Sequence, residues 1–197
     1  MRLHRPIVII VWALLCLATV PAGATREFVA AGILLIANDG QSALVFLVKH
    51  HSRSWYEMPG GRRQSFVGTD DGQGKKRETA YETAIRECYE ESRGFLSPNV
   101  LRKVTDSSQF IRDGEFVYFL GKIDRFSIAS LEATSAPQSD SAAAFREIAD
   151  YAWVPVEHVL TGDGVSVIDA AGRRIELRHQ LKSRLTRARA AGWFEER

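Results

Sequence analysis

The sequence predicts an α/β domain: a mixed β-sheet with helices on its faces. Three observations predict it. Strand-like apolar runs alternate with segments of helical period along the chain. The composition, 45% hydrophobic and 25% charged over 197 residues, suits one domain with a buried core. No internal repeat interrupts the pattern.

The first 24 residues stand apart from that domain. MRLHRP carries Arg2 and Arg5, and Ile7–Val20 then runs for 14 residues without a charge. Pro21 and the small-x-small stretch Ala22-Gly23-Ala24 follow, which is the layout of a secretory signal peptide. The apolar run is short of the ~20 residues that a membrane span needs. The division read here is therefore a signal peptide at 1–24 and one domain at 25–197, with a secreted or periplasmic product. The alternatives are an uncleaved segment that anchors the domain to a membrane, and a misassigned start codon. Bulky Leu15 before Cys16 argues against a bacterial lipoprotein site.

Removing the leader takes away two of the 26 Lys+Arg and none of the 24 Asp+Glu, leaving 24 against 24. A neutral domain has no bulk attraction for nucleic acid. Only Cys88 remains, so no intrachain disulfide is expected.

Within the domain, EFVAAGILLIA and ALVFLVKH read as two strands around the turn Asn38-Asp39-Gly40. WYEMPGGRR ends them at a Pro-Gly-Gly break. Gln64–Lys76 has no period and holds Gly68, Gly72 and Gly74, so it reads as a long loop. RETAYETAIRECYEES (Arg77–Ser92) follows as a helix. Thr79 and Glu82 form a capping box at its start, and Gly94 marks its stop. SSQFIRDGEFVYFLGKI reads as a hairpin turning at Asp113-Gly114, and Ala133–Ala144 as a small-residue loop. YAWVPVEHVL gives a strand ending at Pro155 and a short helical turn. Gly172 to Ala191 reads as a final helix, with Ile175, Leu177, Leu181 and Leu185 among its apolar positions.

The Arg77–Ser92 helix poses the chemical question. At ~100° per residue, Glu91 lies about 40° to one side of Glu87 and Glu90 about 60° to the other. Three carboxylates thus share one face, where each like-charged pair costs ~0.2–0.5 kcal/mol. Such a face is left in water or holds a cation. Tyr81, Ala84, Ile85, Cys88 and Ser92 occupy the neighbouring arc, toward the core. Arg86 stands at the edge of the acidic face, four residues before Glu90 and four after Glu82, placed to orient carboxylates. Periodicity alone leaves open an amphipathic helix with a solvated acidic face.

The spacing resembles the Nudix box, G-x5-E-x7-R-E-U-x-E-E-x-G-U, where U is bulky and apolar. Glu78, seven residues, then Arg86-Glu87-Cys88-Tyr89-Glu90-Glu91 match it in register. Trp55 and Met58-Pro59-Gly60-Gly61 resemble the strand end and glycine turn before the box, and Tyr151–Pro155 resembles the family's late W-V-P strand. Two departures stand out. Sixteen residues separate Gly61 from Glu78 where the family has five, an insertion of eleven (16 − 5). Gly72 restores the formal spacing, but Gly61 follows a strand and is the structural equivalent expected. The closing glycine of the box falls at Arg93, with Gly94 one residue late.

The resemblance implies a Nudix-like α/β/α sandwich and hydrolysis of a nucleoside diphosphate linked to another group, or of a related polyphosphate, with Mg²⁺ or Mn²⁺. It implies Glu87, Glu90 and Glu91 as metal ligands. Glu87 or a later loop acid (Asp140, Glu147 or Asp150) would be the base. Glu78 and Arg86 would hold helix and loop in place, unless Glu78 is only a surface charge. The competing class is a catalytically silent module on the same fold that binds or senses nucleotides.

Gly60, Gly61, Arg62 and Arg63 are candidates for contact with substrate phosphate, as is Lys75-Lys76-Arg77; a solvated basic loop is the plain alternative. The terminal segment, rich in arginine from Arg173 to Arg189, is either a packing helix with a solvated basic face or a contact for an anionic membrane or RNA. The histidines share no spacing and have no cysteine partner, so zinc is not expected. Trp55, Phe66 and Tyr89 are candidates for stacking on a base. Nucleotide sugars, ADP-ribose, dinucleoside polyphosphates, nucleoside triphosphates and diphosphoinositol phosphates all stay open as substrates, and so does capped RNA, though nucleic acid is not the favoured partner.

Overall fold

The computed structural model describes residues 27–64, 77–135 and 143–194. The leader, Lys75 and Lys76, Phe66, Gly72 and Asp140 lie outside the described residues.

The first two apolar runs form β1 (Ala30–Asn38) and β2 (Ala43–His50), antiparallel to each other. Asp39 closes the turn between them, its Oδ1 accepting the amides of Gln41 and Ser42 at 3.0 and 2.9 Å. Short β3 (Gly60–Arg62) precedes helix α1 (Ala80–Glu91) and helix α2 (Pro98–Val104). Next come β4 (Thr105–Asp113), β5 (Phe116–Lys122), α3 (Ile128–Glu132), β6 (Ile148–Pro155) and α4 (Val156–Thr161). A ribbon of β7 (Ser166–Ile168) and β8 (Arg174–Glu176) and helix α5 (Leu181–Ala190) complete the chain.

The main sheet runs β4-β5-β1-β2-β6, with β3 also on β1. The β1–β5 pair is parallel and the other pairs are antiparallel, so the sheet is mixed. Alternation at period two sends side chains to two cores. Ile33, Leu35, Phe46, Tyr151 and Trp153 meet Ala84, Ile85 and Cys88 of α1 on one face. Leu34, Ile36, Leu47 and Val154 meet Leu181, Leu185 and Ala188 of α5 on the other. This is the expected α/β/α sandwich.

The edge of β1 that faces β2 is divided, and this division places the site. Its end at Ile36–Asn38 pairs with β2, while its start at Ala30–Gly32 pairs with β3. A Cβ on Gly32 would come within 2.3 Å of the Pro59 carbonyl, so only glycine lets the two backbones approach this closely. The Gly60-Gly61 backbone is thereby brought against α1.

Two boundaries differ from the sequence reading. Asp113 pairs with Phe116, so the hairpin turns at Gly114-Glu115, with Gly114 at φ +63°. Gly172–Ala191 is not one helix, because Arg174–Glu176 is a strand and α5 begins only at Leu181. Ile175 and Leu177 are buried while Arg174 and Glu176 are exposed, which is a period of two rather than 3.6. Asp169 fixes the turn at Gly172 (φ +81°), its Oδ1 accepting the amides of Ala171 and Arg173 at 2.9 and 2.8 Å.

Candidate active site

Helix α1 starts where its capping box says it should. The Thr79 hydroxyl accepts the Glu82 amide at 3.2 Å, and the Glu82 carboxylate accepts the Thr79 amide at 2.8 Å. That start sets the helix phase, burying Ala84, Ile85 and Cys88 and turning Glu87 and Glu90 to a cleft of about 300 Å³. Two larger cavities of about 500 and 510 Å³, beside Trp193 and beside His158, do not touch the carboxylates of α1.

Arg86 organises the acidic face. Its Nε and Nη2 donate to the two oxygens of Glu78 at 2.8 and 3.1 Å, and its Nη2 also donates to the Arg62 carbonyl at 2.9 Å. Its Nη1 meets Glu87 and Glu90, each at 2.8 Å. Glu78 is 3% exposed and also accepts the Gln64 amide and the Thr83 hydroxyl, each at 3.0 Å. It is a buried brace, not a surface charge. Burial alone would raise its pKa, but Arg86, the Gln64 amide and the Thr83 hydroxyl outweigh that and hold it below the usual range.

The three box carboxylates are not equivalent. Glu91, read from the helical wheel as part of an open acidic face, is 3% exposed. Its Oε2 accepts the Gly60 amide at 2.8 Å, and its Oε1 lies 2.9 Å from His50 Nε2. Strand β3 and the end of β2 cover it, which helical periodicity cannot show. Burial pushes the pKa of Glu87 up to about 7; Glu91 and Glu90 add to the rise, and Arg86 opposes it. Burial also raises Glu90 and Glu91, against the pull of Arg86 on the first and of His50 and the Gly60 amide on the second. Charge at this face is therefore costly as it stands.

The Gly61 position answers the question of the enlarged loop. A Cβ there would fall 2.2 Å from Glu87 Oε2, so a larger residue would displace the Glu87 carboxylate where β3 passes over α1. Gly61 is thus the glycine that meets the helix. The other departure is absorbed at the helix end. Arg93 takes φ +52° and Gly94 φ +80°, with the Gly94 amide donating to the Tyr89 carbonyl at 2.9 Å. The left-handed conformation costs Arg93 ~1–2 kcal/mol. Its guanidinium in turn donates to the Ile148 carbonyl at 3.0 Å.

The remaining candidates separate cleanly. Arg62 has an exposed side chain at the cleft rim. Arg63 does not reach toward the cleft: its Nε donates to the Glu78 carbonyl at 2.8 Å and its guanidinium lies 4.5 Å from the Phe28 ring centre. Arg77 pairs with Glu27 at 2.8 Å. Of the loop acids, Glu147 lines the cleft, with Oε2 3.9 Å from His50 Nδ1. Asp150 accepts the Tyr56 hydroxyl and pairs with Arg173 at 3.0 Å, so it is engaged elsewhere. No sequence pattern marks His50 and Glu57 as part of the site. Both are buried beside Glu91, and only strand pairing brings them there. Among the described residues, no three His, Cys, Asp or Glu side chains already converge as ligands. Arg86 holds Glu87 and Glu90, and His50 faces Glu91.

The NUDIX domain model matches residues 26–172, and the chain belongs to that family. It is an enzyme of the Nudix pyrophosphohydrolase type, a class that generally uses a divalent metal. Among solved structures it is similar to a C. elegans Ap4A hydrolase, at 16% identity and TM-score 0.44, over 83% of this chain and 97% of that one. It is also similar to the NUDIX domain of Shewanella oneidensis NrtR in complex with ADP ribose, at 14% and 0.43, over 87% and 92%. A NUDIX hydrolase from Alicyclobacillus acidocaldarius gives 12% and 0.45, over 83% and 91%. The curated proteins contain no match.

Proposed function

We propose that this protein is an exported, divalent-metal-dependent hydrolase of a phosphoanhydride: a nucleoside diphosphate linked to another group, or a related polyphosphate. The observation that carries the reading is the gathering of Glu87, Glu90 and Glu91 at one cleft where charge is costly. A hard cation relieves that cost, and carboxylate oxygens suit Mg²⁺ or Mn²⁺. Glu87, Glu90 and Glu91 are the residues that would hold it. The bound ion would neutralise the diphosphate and make a water molecule more acidic. Glu87, or Glu147 on the cleft wall, would take the proton from that water. Arg62, at the rim, presents a guanidinium to the diphosphate. Glu78 and Arg86 keep the β3 backbone and α1 in register.

Export rests on Met1–Ala24. It places the enzyme among nucleotides outside the producing cell, or on a membrane if the leader is kept. N-terminal sequencing from the native cell should read Thr25-Arg26-Glu27; a start at Met1 in the cytosol refutes both versions.

The activity is tested by a screen of nucleotide sugars, ADP-ribose, dinucleoside polyphosphates, nucleoside triphosphates and diphosphoinositol phosphates, with and without Mg²⁺. Turnover of at least one compound that chelation abolishes is expected. Binding without turnover across the panel would establish the silent module instead.

A further inference from the structure

The family match ends at residue 172, yet Arg178 reaches the back of the site. Backbone pairing takes it there. The Tyr56 amide donates to the Glu176 carbonyl at 2.8 Å, and the Arg178 amide donates to the Tyr56 carbonyl at 2.9 Å. The Arg178 guanidinium then donates to Glu57 Oε2, while Arg53 pairs with Glu57 Oε1. Glu57 is 4% exposed, so its charge depends on these two arginines.

His50, 8% exposed, stands between two buried carboxylates. Its Nε2 is 2.9 Å from Glu91 Oε1 and 3.8 Å from Glu57 Oε1. Among the described residues Nε2 completes no regular hydrogen bond, so the short contact with Glu91 is the nearest it comes to one. The ring is therefore shared between the two acids, and the charge left on Glu57 decides how strongly it is drawn away from Glu91.

We infer that Arg178 is a positioning residue for the site: by satisfying Glu57 it leaves His50 to Glu91, which fixes the Glu91 carboxylate against the Gly60 amide. As a statement about metal binding the inference rests on the function proposed above; as a statement about Glu91 it does not. Partners in this outer layer typically change metal affinity by ~10–100-fold.

The test compares full-length wild type with Arg178→Met and the double variant Glu57→Gln/Arg178→Met. The double variant removes both members of the pair, and Arg53, on the cleft wall, keeps the amide oxygen of the substituted side chain as an acceptor. The Gly60 amide proton resonance of the metal-free protein reports where Glu91 lies, and Mn²⁺ affinity by electron paramagnetic resonance reports what that placement does. Arg178→Met should shift the Gly60 resonance while the amides of β1 and β5 stay put, and should weaken Mn²⁺ binding ~10-fold. The double variant should restore both. A Gly60 resonance unmoved in folded Arg178→Met overturns the inference. So does a double variant that fails to restore it, as expected if Arg178 merely anchors its own segment. If wild type binds no Mn²⁺ while the Gly60 shifts behave as stated, the metal reading falls and the positioning of Glu91 stands.

Discussion

Helices α1 and α5 cover opposite faces of one sheet, and each gathers charge of one sign. The carboxylates of α1 crowd around Arg86, which serves Glu78, Glu87 and Glu90 together. The arginines of α5 each have an acid at hand. Arg184 and Arg187 share Asp113 at 3.3 and 2.9 Å, and Arg189 pairs with Glu157. Arg184 is buried, with its guanidinium 4.1 Å from the Phe116 ring centre. A run of charge in a sequence therefore says little by itself. What separates the helices is whether the described residues supply the opposite charge: around α5 they do, and around α1 they supply too little.

The largest effect should come from removing Arg86. Arg86→Met leaves Glu78 buried without a cation, and breaking such a pair costs ~3–5 kcal/mol. The denaturation midpoint should fall accordingly, with activity lost as well. Glu90→Gln should cost function without costing stability, since an amide still accepts from Arg86. A kcat reduced by ~100-fold or more is expected, at or above the upper range for losing an outer-layer partner, with a midpoint at or above that of wild type. Preserved activity would place the metal elsewhere.

A pH series sharpens the contrast without touching the metal. Glu87 titrates at about 7 in the fold against 4.5 as the ordinary value, so between those limits the native state holds more protons than the unfolded one. Its favourable contribution is full below 4.5 and is lost as pH rises through 7. Glu90 and Glu91, also raised, act in the same direction. Glu78, held low, weakens the fold only as pH falls below its ordinary 4.5, outside this window. The Tm of metal-free protein should therefore drop from pH 5.5 to 8, and Glu87→Gln should flatten the drop. A wild-type profile as flat as that of the variant would remove the charge cost from the account.

Much of this site was legible in the sequence because its central part is local. Capping box, helix phase and the Arg86–Glu91 spacing are set within one helix, and the structure keeps all three. Gly61 was recognisable because it follows a strand break. The burial of Glu91 was not legible, since it depends on β3 crossing α1 from 31 residues away. His50, Glu57 and Arg178 are scattered along the chain and meet only through strand pairing. Strand β8 reads as helix in the sequence because Ile175 and Leu177 also fit the stripe that continues at Leu181 and Leu185. The α5 arginines read as a basic face, and Arg187 and Arg189 are exposed there; the acids that pair with them, Asp113 and Glu157, lie on other elements and are not legible beside them.

The smallest effect should come from α5. Arg189→Gln removes an exposed pair, worth ~0–1 kcal/mol. Both kcat and midpoint should stay near wild type. A large loss of either would mean that α5 is not balanced internally and contributes to the site.

Whether the α1 face holds the cation is decided by calorimetric titration of Mg²⁺ into metal-free protein at pH 7.5, comparing wild type, Glu87→Gln/Glu90→Gln and Arg187→Gln/Arg189→Gln. Wild type should bind saturably, the α5 variant should bind equally well, and the α1 variant should not bind. Equal binding by wild type and the α1 variant, or no binding by wild type, would contradict a cation site on that face.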